Sequence, residues 1–285
     1  FYVPHMFRMI LFFMLAGYFG RLACERLGTK AFAWDRFRRI TLVLVTFWPI
    51  VFSGIIVAIV IAAMHANGGS LPDTSPPGPA FTPDDFPLTH LWFLYVLTLC
   101  YVAMLAGRRL IAKLDKMGLL KRAADGLVRV LTTPFGPALL ALPLAAALLV
   151  TPNWFIWFGI PTPDSSLYPN LAACIAFGSA FLLGWWLHRQ SGLMARWTKH
   201  WPLHLAIAIA ATIACLWLYD RSNGAAPAAP GLETNAYAFL YALGGWSWTV
   251  ALTGLALRFC SGESPTRRYL ADASYWIYIM HLPIV

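Results

Sequence analysis

The sequence predicts an all-α, polytopic integral membrane helical bundle with about eight transmembrane helices. Hydrophobic residues make up 59% of the chain and charged residues only 12%, and the mean hydropathy is +0.64. Soluble domains carry about 25% charged residues, so this shortfall indicates a protein embedded in lipid. Eight apolar runs approach or reach the length needed to cross a hydrocarbon core of ~30 Å. They are 3–23, 40–64, 91–107, 134–151, 171–187, 203–219, 236–257 and 271–285.

The runs predict helices rather than the strands of a barrel. Backbone polar groups in lipid must be paired internally, which leaves only helices and closed barrels as spanning structures. The runs lack the apolar–polar alternation of barrel strands. We expect a single transmembrane domain over 1–285, and because the chain begins at Phe1 and ends inside an apolar run we expect it to be incomplete at both ends.

Basic residues are concentrated in every second connecting segment. Nineteen of the 21 Lys and Arg residues lie in the segments 21–39, 108–133, 188–202 and 258–268. The other connecting segments carry only Arg221. This is the positive-inside pattern, and it predicts that residue 1 lies on the extracytoplasmic side. The net charge of +9 therefore reflects membrane topology, and nucleic acid is not an expected partner.

Two connecting segments have a composition of their own. Segment 152–170 holds two tryptophans, two phenylalanines and a tyrosine, which fits either an interfacial aromatic belt or a lid that stacks on sugars. Segment 108–133 is long and amphipathic enough for a surface helix on the inner leaflet.

The stretch PHMFRMILFFMLAGYF places an arginine within an apolar run. A charge inside a spanning helix costs about 2.5 to 3.5 kcal/mol by insertion measurements. Arg8 either snorkels to the outer interface or faces a polar cavity together with His5, since positions 5, 8 and 12 share one helix face. Ala16 and Gly17 would let another helix approach closely.

The last apolar run carries polar residues in the same way. Ser274, Tyr278 and His281 lie at i, i+4 and i+7 on one face of a predicted helix, with His281 near mid-membrane. They form either a satisfied structural pair with a neighbour or part of a reaction cavity. Pro283 fits a kinked helix that lines a cavity.

Two further motifs lie at helix ends. In HLWFL, His90 and Trp92 begin a helix at the outer face, as an interfacial anchor would. In DRFRRI, Arg36 and Arg39 are three residues apart at the cytoplasmic end of a helix. They are either positive-inside anchors or a site for phosphate groups, which arginine forks fit well.

Several enzyme classes lack support in the sequence. There is no Walker motif and no GxGxxG, HExxH or GxSxG element, and the five cysteines match no metal, redox or disulfide spacing. A transporter or flippase that uses an intramembrane His/Arg pathway is the alternative function. The chain shows no convincing internal repeat of the kind that transporters often have.

The motifs PHMFRMILFFMLAGYF, DRFRRI, HLWFLYVL and SYWIYIMHLP resemble, in this order, membrane acyltransferases of the acyltransferase family 3 group. The first and third look most like the branch called glucan biosynthesis protein C, which succinylates periplasmic glucans. The resemblance implies an O-acyltransferase of the bacterial inner (plasma) membrane. It would move a succinyl or acetyl group from cytoplasmic acyl-CoA to a hydroxyl of an extracytoplasmic carbohydrate, with no bound cofactor.

The resemblance also implies roles for the residues above. The family has about ten helices, and its first helix carries a histidine thought to be essential, so we expect that histidine upstream of Phe1. Four residues are catalytic candidates, namely His5, Arg8, Tyr278 and His281. A histidine would act as the general base, and Arg8 or Tyr278 would stabilise the oxyanion. Five residues are candidates for substrate binding, namely Arg36, Arg39, His90, Trp92 and Ser274.

Overall fold

The computed structural model describes residues 2–68, 70, 78–221, 229–262, 264–270 and 273. Within these ranges the fold is all-α, as predicted, and no strand is assigned there. The helices are α1 Tyr2–Leu27, α2 Thr29–Arg36, α3 Leu42–Ala66, α4 Trp92–Leu114, α5 Leu119–Leu131, α6 Gly136–Leu149, α7 Leu171–Leu187, α8 Met194–Arg221 and α9 Leu232–Phe259. A π-helical segment covers Phe37–Thr41, and 3-10 segments cover Thr89–Leu91, Ile156–Phe158 and His188–Leu193.

The expected count of about eight transmembrane helices is not confirmed. The described residues hold five stretches long and apolar enough to cross a membrane, or six if the bent pair α5 and α6 forms one span. One of the five is Leu171–Arg221, which contains both α7 and α8. It divides at Gln190, whose φ of −128° and ψ of 45° leave the helical region. The apolar run 271–285 lies outside the described residues except for position 273.

The chain divides into two compact units. The first contains the described residues of 1–29, 103–161 and 170–262, and the second contains those of 30–102, 162–169 and 263–285.

Helix α1 runs through the first unit and crosses α7 at very short range. A Cβ on Gly17 would overlap the backbone oxygen of Phe181, and one on Gly184 would overlap the backbone oxygen of Met14. Each helix therefore contributes one glycine that faces the backbone of the other helix, as small residues do at close helix contacts in membranes. The predicted close approach at Gly17 is confirmed. Helix α9 also packs in this unit, against α6 and α8.

The predicted amphipathic helix in segment 108–133 corresponds to α5. Its first turn follows Gly118, and the carboxylate of Asp115 accepts a hydrogen bond from the backbone N–H of Lys121 at 3.1 Å. Leu127 and Val130 are exposed apolar residues. Arg129 donates a hydrogen bond from its Nε to Oε1 of Gln190 at 3.0 Å. A bend of 104° separates α5 from α6.

In the second unit two loops are joined by backbone hydrogen bonds. The N–H groups of Phe86 and Thr89 donate to the carbonyls of Ser165 and Asp164 at 3.1 and 2.9 Å. Trp48 on α3 stacks on Phe86 with 4.8 Å between ring centroids. These contacts fix the segment that leads into α4.

Candidate active site

His5 and Arg8 lie on the less covered side of α1. The residues of α1 that pack into the first unit include Tyr2, Met6 and Ile10, which are buried, whereas His5 is half-buried and Arg8 is exposed. Among the described residues Arg8 makes no ion pair or hydrogen bond. The sequence prediction that His5 and Arg8 share a face therefore agrees with the helix, and Arg8 keeps its guanidinium donors available.

Three tyrosines lie at the same end of α1. Tyr2 and Tyr237 place their hydroxyl oxygens 2.5 Å apart, and Tyr237 also lies 3.0 Å from the carbonyl of Ile156, to which it donates. A tyrosine hydroxyl has one proton to donate. Because that of Tyr237 is used on Ile156, Tyr2 must donate to Tyr237. Tyr241 donates to the backbone carbonyl of His5 at 3.2 Å, which fixes the backbone at the histidine.

The aromatic segment that follows α6 divides between core and surface. Trp154 is buried and its indole N–H donates to the carbonyl of Gly159 at 2.6 Å, so it anchors the loop. Trp157 is 37% exposed and lies 5.3 Å from Tyr2 and 4.8 Å from Tyr219 between ring centroids. Of the two tryptophans, Trp157 is the one whose indole is partly exposed. An exposed indole suits both interpretations of the segment, the interfacial belt and the sugar platform.

In the second unit, Arg36 is held over two buried aromatic rings. Its guanidinium carbon lies 5.3 Å from the ring centre of Phe32 and 5.7 Å from that of Tyr101. The two rings meet edge to face. Its Nε is buried and has no hydrogen-bond partner among the described residues. Since buried polar groups are normally paired, this donor is a candidate contact for a bound anion.

One carboxylate bridges the two arginines of the DRFRRI motif. Asp35 Oδ2 lies 3.0 Å from Arg36 Nη2, and Asp35 Oδ1 lies 2.8 Å from Arg39 Nε. Arg36 closes α2, and Arg39 lies in the π-helical segment Phe37–Thr41. Such segments are frequent at functional sites. The structure thus brings the predicted pair together, with an acidic partner that the sequence interpretation did not assign.

A cavity of about 330 Å³ opens beside this bridge. It is lined by Ala31, Trp34, Asp35, Arg38 and Arg39. Trp34 is 60% exposed and stacks on Phe37 with 5.5 Å between ring centroids and 20° between ring planes. The cavity therefore combines two guanidinium groups and one carboxylate with an exposed aromatic side chain, a net positive site that suits a ligand with both anionic and flat ring groups.

His90 and Trp92 lie at the start of α4. His90 is half-buried within the 3-10 segment Thr89–Leu91, and Trp92 is 8% exposed. Because Trp92 is buried, little of its indole is accessible to a ligand. The three remaining predicted site residues, Ser274, Tyr278 and His281, lie outside the described residues.

Sequence interpretation missed a network at the basic end of α1. Glu25 Oε1 accepts from Arg21 Nε at 2.7 Å, and Glu25 Oε2 lies 3.5 Å from His188 Nδ1. Nearby along the chain, Arg189 binds both carboxylate oxygens of Asp125 at 3.0 and 2.9 Å. The available signal was the rarity of acidic residues, because each one inside a basic segment is a candidate ion-pair partner. Among the described residues, no cluster of three His, Cys, Asp or Glu side chains is arranged to hold a metal.

These features define the class of the protein, which is an all-α membrane protein with several spanning helices. The sequence model of an acyltransferase domain matches residues 1–285, the whole of the chain. The chain therefore belongs to acyltransferase family 3 and is an acyltransferase, which confirms the family resemblance. Neither a search of curated proteins nor one of solved structures returned a match.

Proposed function

We propose that the protein moves an acyl group, succinyl or acetyl, from cytoplasmic acyl-CoA to a hydroxyl of an extracytoplasmic carbohydrate such as a periplasmic glucan. Membership of the acyltransferase family supports the reaction class. The donor, the acceptor and the location in the bacterial inner membrane are part of the proposal. The transporter alternative is not favoured by any contact among the described residues.

The observation that carries the donor proposal is the bridge of Arg36, Asp35 and Arg39 beside its cavity. Coenzyme A carries three phosphate groups and an adenine ring. Arg38 and Arg39 line the cavity with guanidinium groups, and Trp34 adds a ring on which an adenine can stack. This cluster lies in a segment that the positive-inside pattern assigns to the cytoplasm, where acyl-CoA is made.

The transfer itself needs a base and an oxyanion donor. The acceptor hydroxyl oxygen attacks the thioester carbonyl carbon while its proton passes to an imidazole. The C–S bond then breaks, and the CoA thiolate takes up a proton as it leaves. We propose His5 and His281 as candidate bases, with Arg8 or Tyr278 donating to the oxyanion. Ser274, His90 and Trp92 remain candidates for substrate binding.

The donor proposal is tested with purified protein in proteoliposomes and two acyl donors. Acyl-CoA carries the phosphates, whereas the same acyl group on N-acetylcysteamine does not. Arg39→Gln removes one guanidinium and should raise the KM for acyl-CoA about tenfold or more, since hydrogen bonds to charged groups contribute about 1.5 to 3 kcal/mol. The rate with the acyl-N-acetylcysteamine donor should not change.

The matched control is Arg26→Gln, which removes an exposed charge from the same basic segment of the sequence. It should leave both donors unaffected. If Arg39→Gln slows both donors equally, the arginine acts on stability or chemistry rather than on the phosphates, and the donor site is wrong.

The acceptor is tested in the native host with the full-length gene. Deletion followed by mass spectrometry of periplasmic glucans and surface polysaccharides should show loss of an acyl substituent, and its mass identifies the group. Complementation with wild type should restore the substituent, and complementation with His5→Ala should not. If every glycan keeps its substituents after deletion, the carbohydrate acceptor is wrong.

A further inference from the structure

We propose that a second basic cavity, in the first unit, binds the phosphate head group of an anionic lipid. The cavity has a volume of about 470 Å³ and is lined by Thr133, Pro134, Ala195, Arg196, Lys199 and His200. It lies where the turn before α6 meets the first turns of α8. This inference rests on the cavity and does not depend on the acyl-transfer proposal.

The cavity presents positive charge without a carboxylate to neutralise it. None of the described residues that line it is acidic, whereas the lining includes the cations Arg196 and Lys199 and the ring nitrogens of His200. The nearest acidic side chain along α5 is Asp125, and both of its oxygens already accept hydrogen bonds from Arg189. The cations of the cavity are therefore available to a phosphate.

Arg196 is held in place by the turn between α5 and α6. Its Nη1 donates to the backbone carbonyl of Arg129 at 2.8 Å and lies 3.4 Å from Thr132 Oγ1. These bonds use one nitrogen of the guanidinium and orient the others. A guanidinium fixed in this way loses less side-chain entropy when it binds an anion.

Exposed apolar side chains lie next in sequence to the residues that line the cavity. Phe135, which follows Pro134, is 76% exposed, and Leu203, which follows the basic residues by one helical turn, is 47% exposed. A free phosphate in water needs no apolar contact, whereas a lipid brings acyl chains next to its head group. Basic pockets beside apolar helix surfaces on the cytoplasmic side are typical sites for anionic lipids. The positive-inside pattern assigns segment 188–202 to that side.

The test measures lipid binding to the full chain by native mass spectrometry in detergent. Phosphatidylglycerol and cardiolipin are titrated as anionic lipids, and phosphatidylcholine as the lipid without net charge. We expect Lys199→Gln with His200→Gln to weaken binding of the anionic lipids about fivefold or more, given about 1 kcal/mol for a cation near the surface. Adding Arg196→Gln should weaken it further. Phosphatidylcholine binding should not change.

The control removes two lysine charges from another basic segment, one more than the cavity variant loses. Lys113 and Lys116 are exposed, so Lys113→Gln with Lys116→Gln should leave lipid binding unchanged. Equal losses in the control and in the cavity variant would overturn the proposal, because any basic surface would then suffice. The lipid assignment is also wrong if inorganic phosphate alone raises the melting temperature through Lys199 and His200 while anionic lipids do not bind there.

Discussion

The guanidinium of Arg36 lies 5.7 Å from the ring centre of Tyr101, and the ring is buried beneath it. A buried ring in this position restricts where the guanidinium can point and adds an attraction of about 0.5 to 2 kcal/mol. Tyr101 is therefore a positioning residue for the proposed donor site.

The first prediction removes that ring. Tyr101→Leu should raise the KM for acyl-CoA about fivefold, because Arg36 loses its fixed orientation, and it should leave kcat with the acyl-N-acetylcysteamine donor unchanged. Tyr101→Phe keeps the ring and loses only the hydroxyl that hydrogen-bonds Arg36, so its KM should rise less than that of Tyr101→Leu. Steady-state kinetics with both donors measures this. Equal KM values for the two variants would show that the ring does not position Arg36.

The second prediction concerns the crossing of α1 and α7. Gly184→Ala places a methyl group against the backbone of α1, where nothing can yield without moving a helix. Overpacking of this kind costs about 1 to 3 kcal/mol or more. We expect an apparent melting temperature several degrees lower, measured by fluorescence-detected size-exclusion chromatography after heating.

Gly178 on the same helix provides the control for Gly184. A Cβ at Gly178 would meet no atom within 4 Å, so Gly178→Ala should leave the melting temperature unchanged or raise it slightly. If the two variants melt alike, the close crossing of α1 and α7 is not important for stability.

The sequence predicted the helical class, the close approach at Gly17 and the shared face of His5 with Arg8. These follow from composition and from the 3.6-residue period, which are local properties. The sequence did not predict the π-helical segment Phe37–Thr41. A shift from i→i+4 to i→i+5 hydrogen bonds depends on packing around the segment and leaves no compositional signal.

The number of spans could not be read from apolar length alone. The run 134–151 forms α6, which at 14 residues is about 21 Å long and shorter than a hydrocarbon core of ~30 Å. Hydropathy detects apolar residues, but it does not show where a helix ends or bends. The contact between Asp35 and both arginines was missed for another reason: a carboxylate next to an arginine has no fixed partner until the backbone is known.

The third prediction follows from the direction of the tyrosine hydrogen bonds. Tyr237→Phe removes the donor to the Ile156 carbonyl and the acceptor of the Tyr2 hydroxyl, leaving both buried groups without these partners. An unsatisfied buried group costs about 1 to 3 kcal/mol. Tyr2→Phe leaves the bond from Tyr237 to Ile156 intact, so it should destabilise the protein less.

Thermal melting of the two single variants and of the double variant checks this order. The double variant should melt no lower than Tyr237→Phe, because Tyr2→Phe then removes a hydroxyl that had already lost its acceptor. If Tyr2→Phe lowers the melting temperature more than Tyr237→Phe does, the hydrogen bond between the two hydroxyls runs from Tyr237 to Tyr2 and the assigned direction is wrong.

The fourth prediction separates three roles for Arg8. Its side chain is exposed and unpaired among the described residues, so Arg8→Lys should leave the melting temperature unchanged. If Arg8 only snorkels to the interface, lysine does the same and activity is retained. If Arg8 donates to the oxyanion, losing the fork should lower kcat about 10- to 100-fold for every acyl donor.

The choice of acyl donor distinguishes the remaining roles of Arg8. A guanidinium that orients the succinyl carboxylate through two parallel hydrogen bonds loses one of them in Arg8→Lys, whereas acetyl-CoA offers no carboxylate to bind. Activity with succinyl-CoA should then fall about tenfold while activity with acetyl-CoA is unchanged. Equal losses with both donors assign Arg8 to the oxyanion instead. Full activity with both donors would remove Arg8 from the chemistry and leave His5 as the candidate on this face of α1.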